Sequence, residues 1–326
     1  MFNKKIIFII IVCISFLNFT SCFVTTKAVD TVSTGLSGMN RKGIPQKKSK
    51  KSDNPGAMFA ITSDSDITLI ADFFPTALKM YEILQTQNPD HLGLMSMTGS
   101  LNIMYANAFV QTPADLLGID EFAKQNEEYI RAKSHYLKGK NFCLNSLDGR
   151  HKGFKNLLES AEDIKISEAI NMLDKYDVTT AYYMGAGWLG AFSLDPLSPE
   201  LLGNLSAPVQ VLEKVIELKP DYTDVWEVLA RFYAAAPESF GGSIEKAMEY
   251  SDKALELSGG KTPNPYIIKA ECFCIPNGDE EGFIENLNKA LSIDPDENPE
   301  TRLTVTISQK KARKLLSSKG DYFLEW

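Results

Sequence analysis

From residue 56 onward, apolar side chains recur at intervals of three and four within proline-bounded segments, and alternating strand patterns are few. That period belongs to helices with one buried stripe. Trp226, Leu229, Ala230 and Tyr233 fall at i, i+3, i+4 and i+7, in the order W-x2-L-A-x2-Y. A small residue at Ala230 lets a second helix approach closely, and Ala247 and Ala254 supply the small positions of that helix after the turn Pro237–Ser243. The same alternation precedes it, with Ala181, Met184, Gly185 and Trp188 in one helix, then Leu212, Val215 and Pro220 in the next. It follows again as Tyr266, Ala270 and Phe273, then Phe283, Leu287, Ala290 and Pro295. Near the start, Ala77, Tyr81, Leu84 and Pro89 reproduce the second-helix spacing, and Ala132, Tyr136 and Gly139 reproduce most of it.

The expected fold is therefore all-α: an α-solenoid of about four degenerate helix–turn–helix repeats with irregular insertions, spanning residues 56–326. The first-helix pattern looks like that of a tetratricopeptide repeat. Thr301–Ser318 is expected to be a C-terminal capping helix, with Lys310, Lys311, Arg313 and Lys314 where cations suit the helix dipole. The tail Asp321–Trp326 is aromatic enough that docking is expected of it.

The N-terminus has a different texture. Lys4 and Lys5 precede an apolar run from Ile6 to Phe19, too short for a bilayer span. It ends at Thr20-Ser21-Cys22, which resembles the lipobox of bacterial lipoproteins, so residues 1–21 read as a signal peptide. Cys22 would then be the acylated first mature residue, with palmitate the expected chain. Residues 22–55 show no helical or strand period and read as a lipidated flexible tether, including the run Lys47-Lys48-Ser49-Lys50-Lys51.

Charge sharpens the division. The formal net charge of the 326-residue chain is -8, but residues 23–55 hold seven basic residues against two acidic. Residues 56–326 hold 25 basic and 40 acidic residues, a balance of -15. A body so acidic is a poor partner for a phosphate backbone, and nucleic acid is excluded as its ligand. Cys143, Cys272 and Cys274 form no disulfide framework, and no histidine completes a zinc set with them; buried free thiols and no metal are expected. His91 reads as a loop residue and His135 as an exposed one. No catalytic motif or assembled acid, base and nucleophile is recognisable, so neither an enzyme nor a cofactor site is expected.

Binding remains. The first helices of a solenoid line its concave face, and the repeat register puts Ser96, Ser100, Thr179, Tyr182, Glu227 and Arg231 there. Arg231 could pair with a ligand carboxylate, or with Glu227 one helical turn away. Tyr105 and Asn107 belong to an aromatic patch that is either pocket or core. Trp188, Trp226 and Tyr233 fall on core positions.

The signal, the tether, the four cryptic repeats and three runs together resemble the T component of tripartite ATP-independent periplasmic (TRAP) transporters. The runs are Tyr105-Ala-Asn-Ala-Phe-Val110, Gly187-Trp-Leu-Gly-Ala-Phe192 and Pro237-Glu-Ser-Phe-Gly-Gly-Ser243. The resemblance implies a lipid-anchored protein at the periplasmic face of a bacterial membrane. It also implies a homotrimer with a pore or cleft in each protomer, docking the soluble substrate-binding P component and holding or relaying a small organic ligand. The other reading is a repeat scaffold for envelope or outer-membrane protein assembly.

Overall fold

The computed structural model describes residues 27–46 and 58–323. Cys22, the signal peptide, the basic run at Lys47–Lys51 and Leu324–Trp326 lie outside them. The described chain is all-α; its only β feature is an isolated bridge between Met39 and Pro45.

Residues 27–37 form α1. They correct the expectation of a flexible tether from 22 to 55. Ser33 and Ser37 are buried, and Tyr81 Oη donates to the Leu36 carbonyl across 3.1 Å. The next helices are α2 (Ile67–Gln87) and α3, which runs from Leu92–Tyr105 through a π turn at Ala106–Gln111 into Thr112–Asp115. After α4 (Phe122–Arg150) and α5 (Asp163–Met172) come α6 (Val178–Leu194), α7 (Ser206–Leu218), α8 (Thr223–Ala235) and α9 (Ile244–Ser258). The next helix, α10, is Asn264–Lys269, a second π turn at Ala270–Cys274, and Ile275–Asn277. Last are α11 (Glu280–Leu291) and α12 (Arg302–Ser317). The pairs α3/α4, α6/α7, α8/α9 and α10/α11 are the repeats, flanked by α2 and α12.

The small residues of the repeat pattern sit at the helix crossings. A Cβ on Gly99 of α3 would lie 2.7 Å from the Gly139 carbonyl of α4, and one on Gly139 would meet the Gly99 carbonyl at 2.7 Å. The two backbones therefore touch, and only glycine fits on either side. Ala132, Ala181, Ala230, Ala247, Ala254 and Ala290 are all fully buried. Around these contacts pack Phe74, Phe154, Leu144, Met184, Leu212 and Leu229, each contributing about 1.5–3 kcal/mol relative to exposure. A second cluster joins α10, α11 and α12 through Ile267, Phe283, Leu287, Ala312 and Leu315. Tyr322 and Phe323 dock on Phe283, at ring-centroid distances of 5.9 and 5.2 Å.

The capping helix does more than cover an end. Gln309 of α12 donates to the Ala290, Leu291 and Ile293 carbonyls at the C-terminus of α11. Arg302 donates to the Ser63 carbonyl across 2.7 Å, and α12 also touches α2. The last helix thus closes the array onto the start of α2 and the turn before it.

Three further expectations change. His91 is not a loop residue: it is fully buried at the N-cap of α3, where its Nδ1 accepts from Leu94 N–H at 3.0 Å. With Nδ1 accepting, Nε2 carries the proton and faces Thr34 Oγ1 at 3.0 Å. His135 is half-buried, 2.9 Å from Asn102 Oδ1 and edge-on to Tyr105. Trp226 is half-buried, its Nε1 donating to the Pro220 carbonyl, whereas Trp188 and Tyr233 are core as expected.

Backbone contact at Gly99 sets a test. Gly99→Ala should lower stability by about 1–3 kcal/mol and Tm by roughly 2–8 °C, because the new Cβ would meet the Gly139 carbonyl and the Cys143 backbone nitrogen as well as the Cys143 sulfur. Gly35→Ala, in α1 with open space around its Cβ, should leave Tm unchanged or slightly higher. Thermal melts by circular dichroism compare the two.

Candidate functional site

On α8, Asp224, Glu227 and Arg231 follow one another at i, i+3 and i+7 and so share one face. The neighbouring first helix, α10, presents Asn264 and, within its π turn, Glu271 and Cys272. A π turn inserts an extra residue into the helical ladder and re-aims the side chains that follow it. From the far side α12 contributes Ser308 and Lys311.

These side chains form one connected polar cluster. Glu271 is its hub: Oε2 lies 2.8 Å from Arg231 Nη1, and Oε1 lies 2.7 Å from Lys311 Nζ. Asn264 Nδ2 donates to Glu227 at 3.0 Å, while Ser308 Oγ donates to Asn264 Oδ1 at 2.7 Å. Asp115, at the end of α3, accepts from Tyr129 Oη at 3.0 Å and feels the charges of Lys311, Glu271 and Arg231 across the interior. Protein surrounds Arg231, yet 39% of its side-chain surface reaches solvent. The cluster is therefore partly open to solvent at Arg231.

Burial is the largest influence on every carboxyl in the cluster, and their partners decide which way each one goes. At Glu271 burial pushes the pKa up, but Lys311 and Arg231 outweigh it and hold the carboxyl at about 2. Glu227 has no comparable cation contact. Burial and neighbouring Asp224 lift it to about 8 against the hydrogen bond from Asn264. Asp224 and Asp115 are also raised, chiefly by burial. Arg231 and Lys311 therefore share one firmly ionised carboxylate, while Glu227 holds its proton more tightly than an ordinary carboxyl does.

An aromatic group adjoins this cluster. The Tyr182 ring lies 4.8 Å from that of Tyr222 and 4.9 Å from that of Tyr183. Burial raises the phenol pKa of all three, so they remain neutral.

The residues named from the repeat register divide into two groups. Thr179 and Tyr182 are on α6, with Tyr182 largely buried, while Glu227 and Arg231 are on α8 within the polar cluster. Arg231 pairs with Glu271 rather than with Glu227. Ser96 and Ser100 are not groove residues. Both are buried, with Ser96 Oγ 2.7 Å from Thr180 Oγ1 and Ser100 Oγ donating to the Ser96 carbonyl. The reason is that α3 is enclosed by α2, α4 and α6, leaving it no concave face. Tyr105 is likewise core, stacked on Phe74 and hydrogen-bonded to Arg131. Asn107 is exposed on the first π turn and donates to Tyr136 Oη at 3.2 Å.

Glu271, Asp224, Asp115 and Asn264 were not among the residues named from the sequence, and Lys311 was named only for the dipole of the capping helix. One signal could have found Glu271: it stands five residues after Tyr266, as Arg231 stands five after Trp226, the same register position in adjacent repeats. Cys143 is fully buried, its thiol pushed up to about 12, and among the described residues Cys272 and Cys274 are also free. No group of metal-binding residues occurs among the described residues.

The raised carboxyl gives a pH test. Glu227 binds its proton more tightly folded than unfolded, so its contribution is complete below about 4.5 and is lost as pH rises toward about 8. Between pH 5 and 8 the Tm of wild type should fall by roughly 2–4 °C more than that of Glu227→Gln, the shift expected for about 1 kcal/mol. Parallel falls in both proteins would place the pKa of Glu227 near its ordinary value.

Comparison with known proteins agrees with this architecture. The family model for the TRAP transporter T-component matches residues 63–323. An uncharacterized protein of Treponema pallidum (strain Nichols) is 42% identical over 266 residues, covering 81% of this chain and 82% of the relative. The helical-repeat body and the matched span together make this chain a member of the TRAP transporter T-component family, an accessory protein of TRAP transporters.

Proposed function

We propose that this protein docks the soluble substrate-binding component of its transporter and holds or relays a small carboxylate ligand at the polar cluster around Arg231. The observation that carries the ligand class is the sharing of one carboxylate, Glu271, by two cations. Arg231 and Lys311 bring two cations to that one carboxylate inside a strongly acidic body, and an incoming carboxylate would give them a second partner. The aromatic group of Tyr182, Tyr183 and Tyr222 suits an apolar portion of the same ligand.

Acylation at Cys22 would hold the protein at the periplasmic face of the membrane. Among the described residues no helix is long and apolar enough to span a bilayer. Self-association, as a homotrimer in this reading, is supported by an unpartnered ridge on α2. Leu69, Phe73, Met80 and Ile83 are 57, 45, 55 and 62% exposed and lie within one stripe, while Ile70, Phe74 and Leu78 on the other side are core.

Two measurements test this. Mild crosslinking in native envelopes, followed by recovery and mass spectrometry, should return a periplasmic substrate-binding protein. Recovery of outer-membrane assembly proteins alone would favour the scaffold reading instead. For the ridge, the Leu69→Glu, Ile83→Lys double variant should keep its helical spectrum while the mass by light scattering drops from an oligomer to a monomer. An unchanged oligomer would remove α2 from the interface.

A further inference from the structure

The segment 27–46 is built onto the body at several independent points. At its N-terminal end Asp30 Oδ1 accepts from Asn88 Nδ2 at 3.4 Å and from Arg41 Nη1 at 3.2 Å. In its middle Thr34 meets the buried His91, and the Leu36 carbonyl accepts from Tyr81. Past α1, Met39 is buried against Gly93, where a Cβ would lie 2.5 Å from the Met39 Cβ, and Leu92 N–H donates to the Arg41 carbonyl at 3.0 Å. Asn40 Oδ1 accepts from Lys42 N–H and Ile44 N–H, bracing the turn that Gly43 makes at φ +73°. These contacts also fix direction. The start of α1 lies at Asn88 and its end at Tyr81, so α1 runs antiparallel to α2 and begins beside the α2–α3 turn.

Cys22 stands five residues before Lys27, and five residues of fully extended chain reach at most about 18 Å. A free 33-residue tether would instead have a root-mean-square span of roughly 30 Å and would fix no orientation. We propose that the end of the body formed by α1, residues 38–46 and the α2–α3 turn is its membrane-facing surface, held against a lipid bilayer by the acyl group on Cys22. The inference rests on the lipidation proposed above.

Charge points the same way. At this end Arg41 pairs with Asp30 and Asp90, and Lys42 and Asp148 stand beside them, a rim with a balance of only -1 on a body of net charge -15. The other end of α2, about 30 Å along the helix, adjoins a loop that carries Asp294, Asp296, Glu297 and Glu300, of which Asp296 pairs with Arg302 and Glu297 with Lys261 while Asp294 and Glu300 add two further negative charges. Anionic headgroups would repel that loop and tolerate the rim.

The test uses the full-length protein, purified from envelopes and reconstituted in phosphatidylethanolamine–phosphatidylglycerol vesicles that contain a headgroup photocrosslinking lipid. Intact mass reports acylation, and peptide mapping locates the crosslinks. The expected result is labelling concentrated severalfold on residues 27–46, 88–90 and 145–152 over 294–300. A long Gly-Ser insert placed before Lys27 should abolish that concentration while leaving the chain acylated and membrane-bound. Even labelling of both ends in the acylated wild type, or no effect of the insert, overturns the orientation and leaves lipidation intact. A mature chain of unacylated mass overturns lipidation, and the orientation with it.

Discussion

The contact between the backbones of α3 and α4 at Gly99 and Gly139 determines much of what surrounds it. Helices that touch at the backbone leave no room for side chains between them, so α3 is enclosed and its polar residues must find partners inside. They do so locally. Thr98 and Ser100 donate to carbonyls one turn back, and Asn102 donates to the Thr98 carbonyl while facing His135. An enclosed first repeat cannot contribute a binding face along its length. Only the π turn and the final turn of α3, with Asn107 and Asp115, reach open surface or the interior. The solvent-open part of the polar cluster therefore belongs to the later repeats.

Within those repeats a single structural position is used twice with opposite charge. Arg231 and Glu271 occupy equivalent places on consecutive first helices, and stacking the repeats brings them to 2.8 Å. A cation drawn from the capping helix then makes the carboxylate shared. Lys311 reads in the sequence as a dipole-complementing residue of a terminal helix, yet it is 14% exposed and turned toward Glu271. Burial of the Glu227 carboxyl is tolerable because its raised pKa favours the neutral form, which Asn264 still meets with a hydrogen bond.

The helices were legible from spacing because each small residue of the pattern had a mechanical reason to be small. Ala132, Ala181, Ala230 and Ala254 all mark crossings. The polar cluster was legible only by halves. Arg231 and Glu227 were readable because they lie on one helix, whereas Glu271, Lys311 and Asp115 join them through tertiary closure, which no local period records. Ser96 and Ser100 misled because repeat register gives the direction of a side chain but not what another helix places over it. The segment 27–46 lacked any signal of periodic burial. It docks mainly by turns, hydrogen bonds and one buried methionine, none of which leaves a hydrophobic stripe.

A linear repeat array normally gains stability unit by unit, with each helix pair answering only to its neighbours, and its ends fray first. The hydrogen bond from Arg302 to the Ser63 carbonyl joins residues 239 positions apart and removes that freedom. Once the array is a closed circuit, no terminal unit can unravel without opening the closure, and the loop entropy of bringing the ends together is recovered only when all the intervening helices are seated. Such a molecule trades the graded elasticity of a spring for the rigidity of a ring.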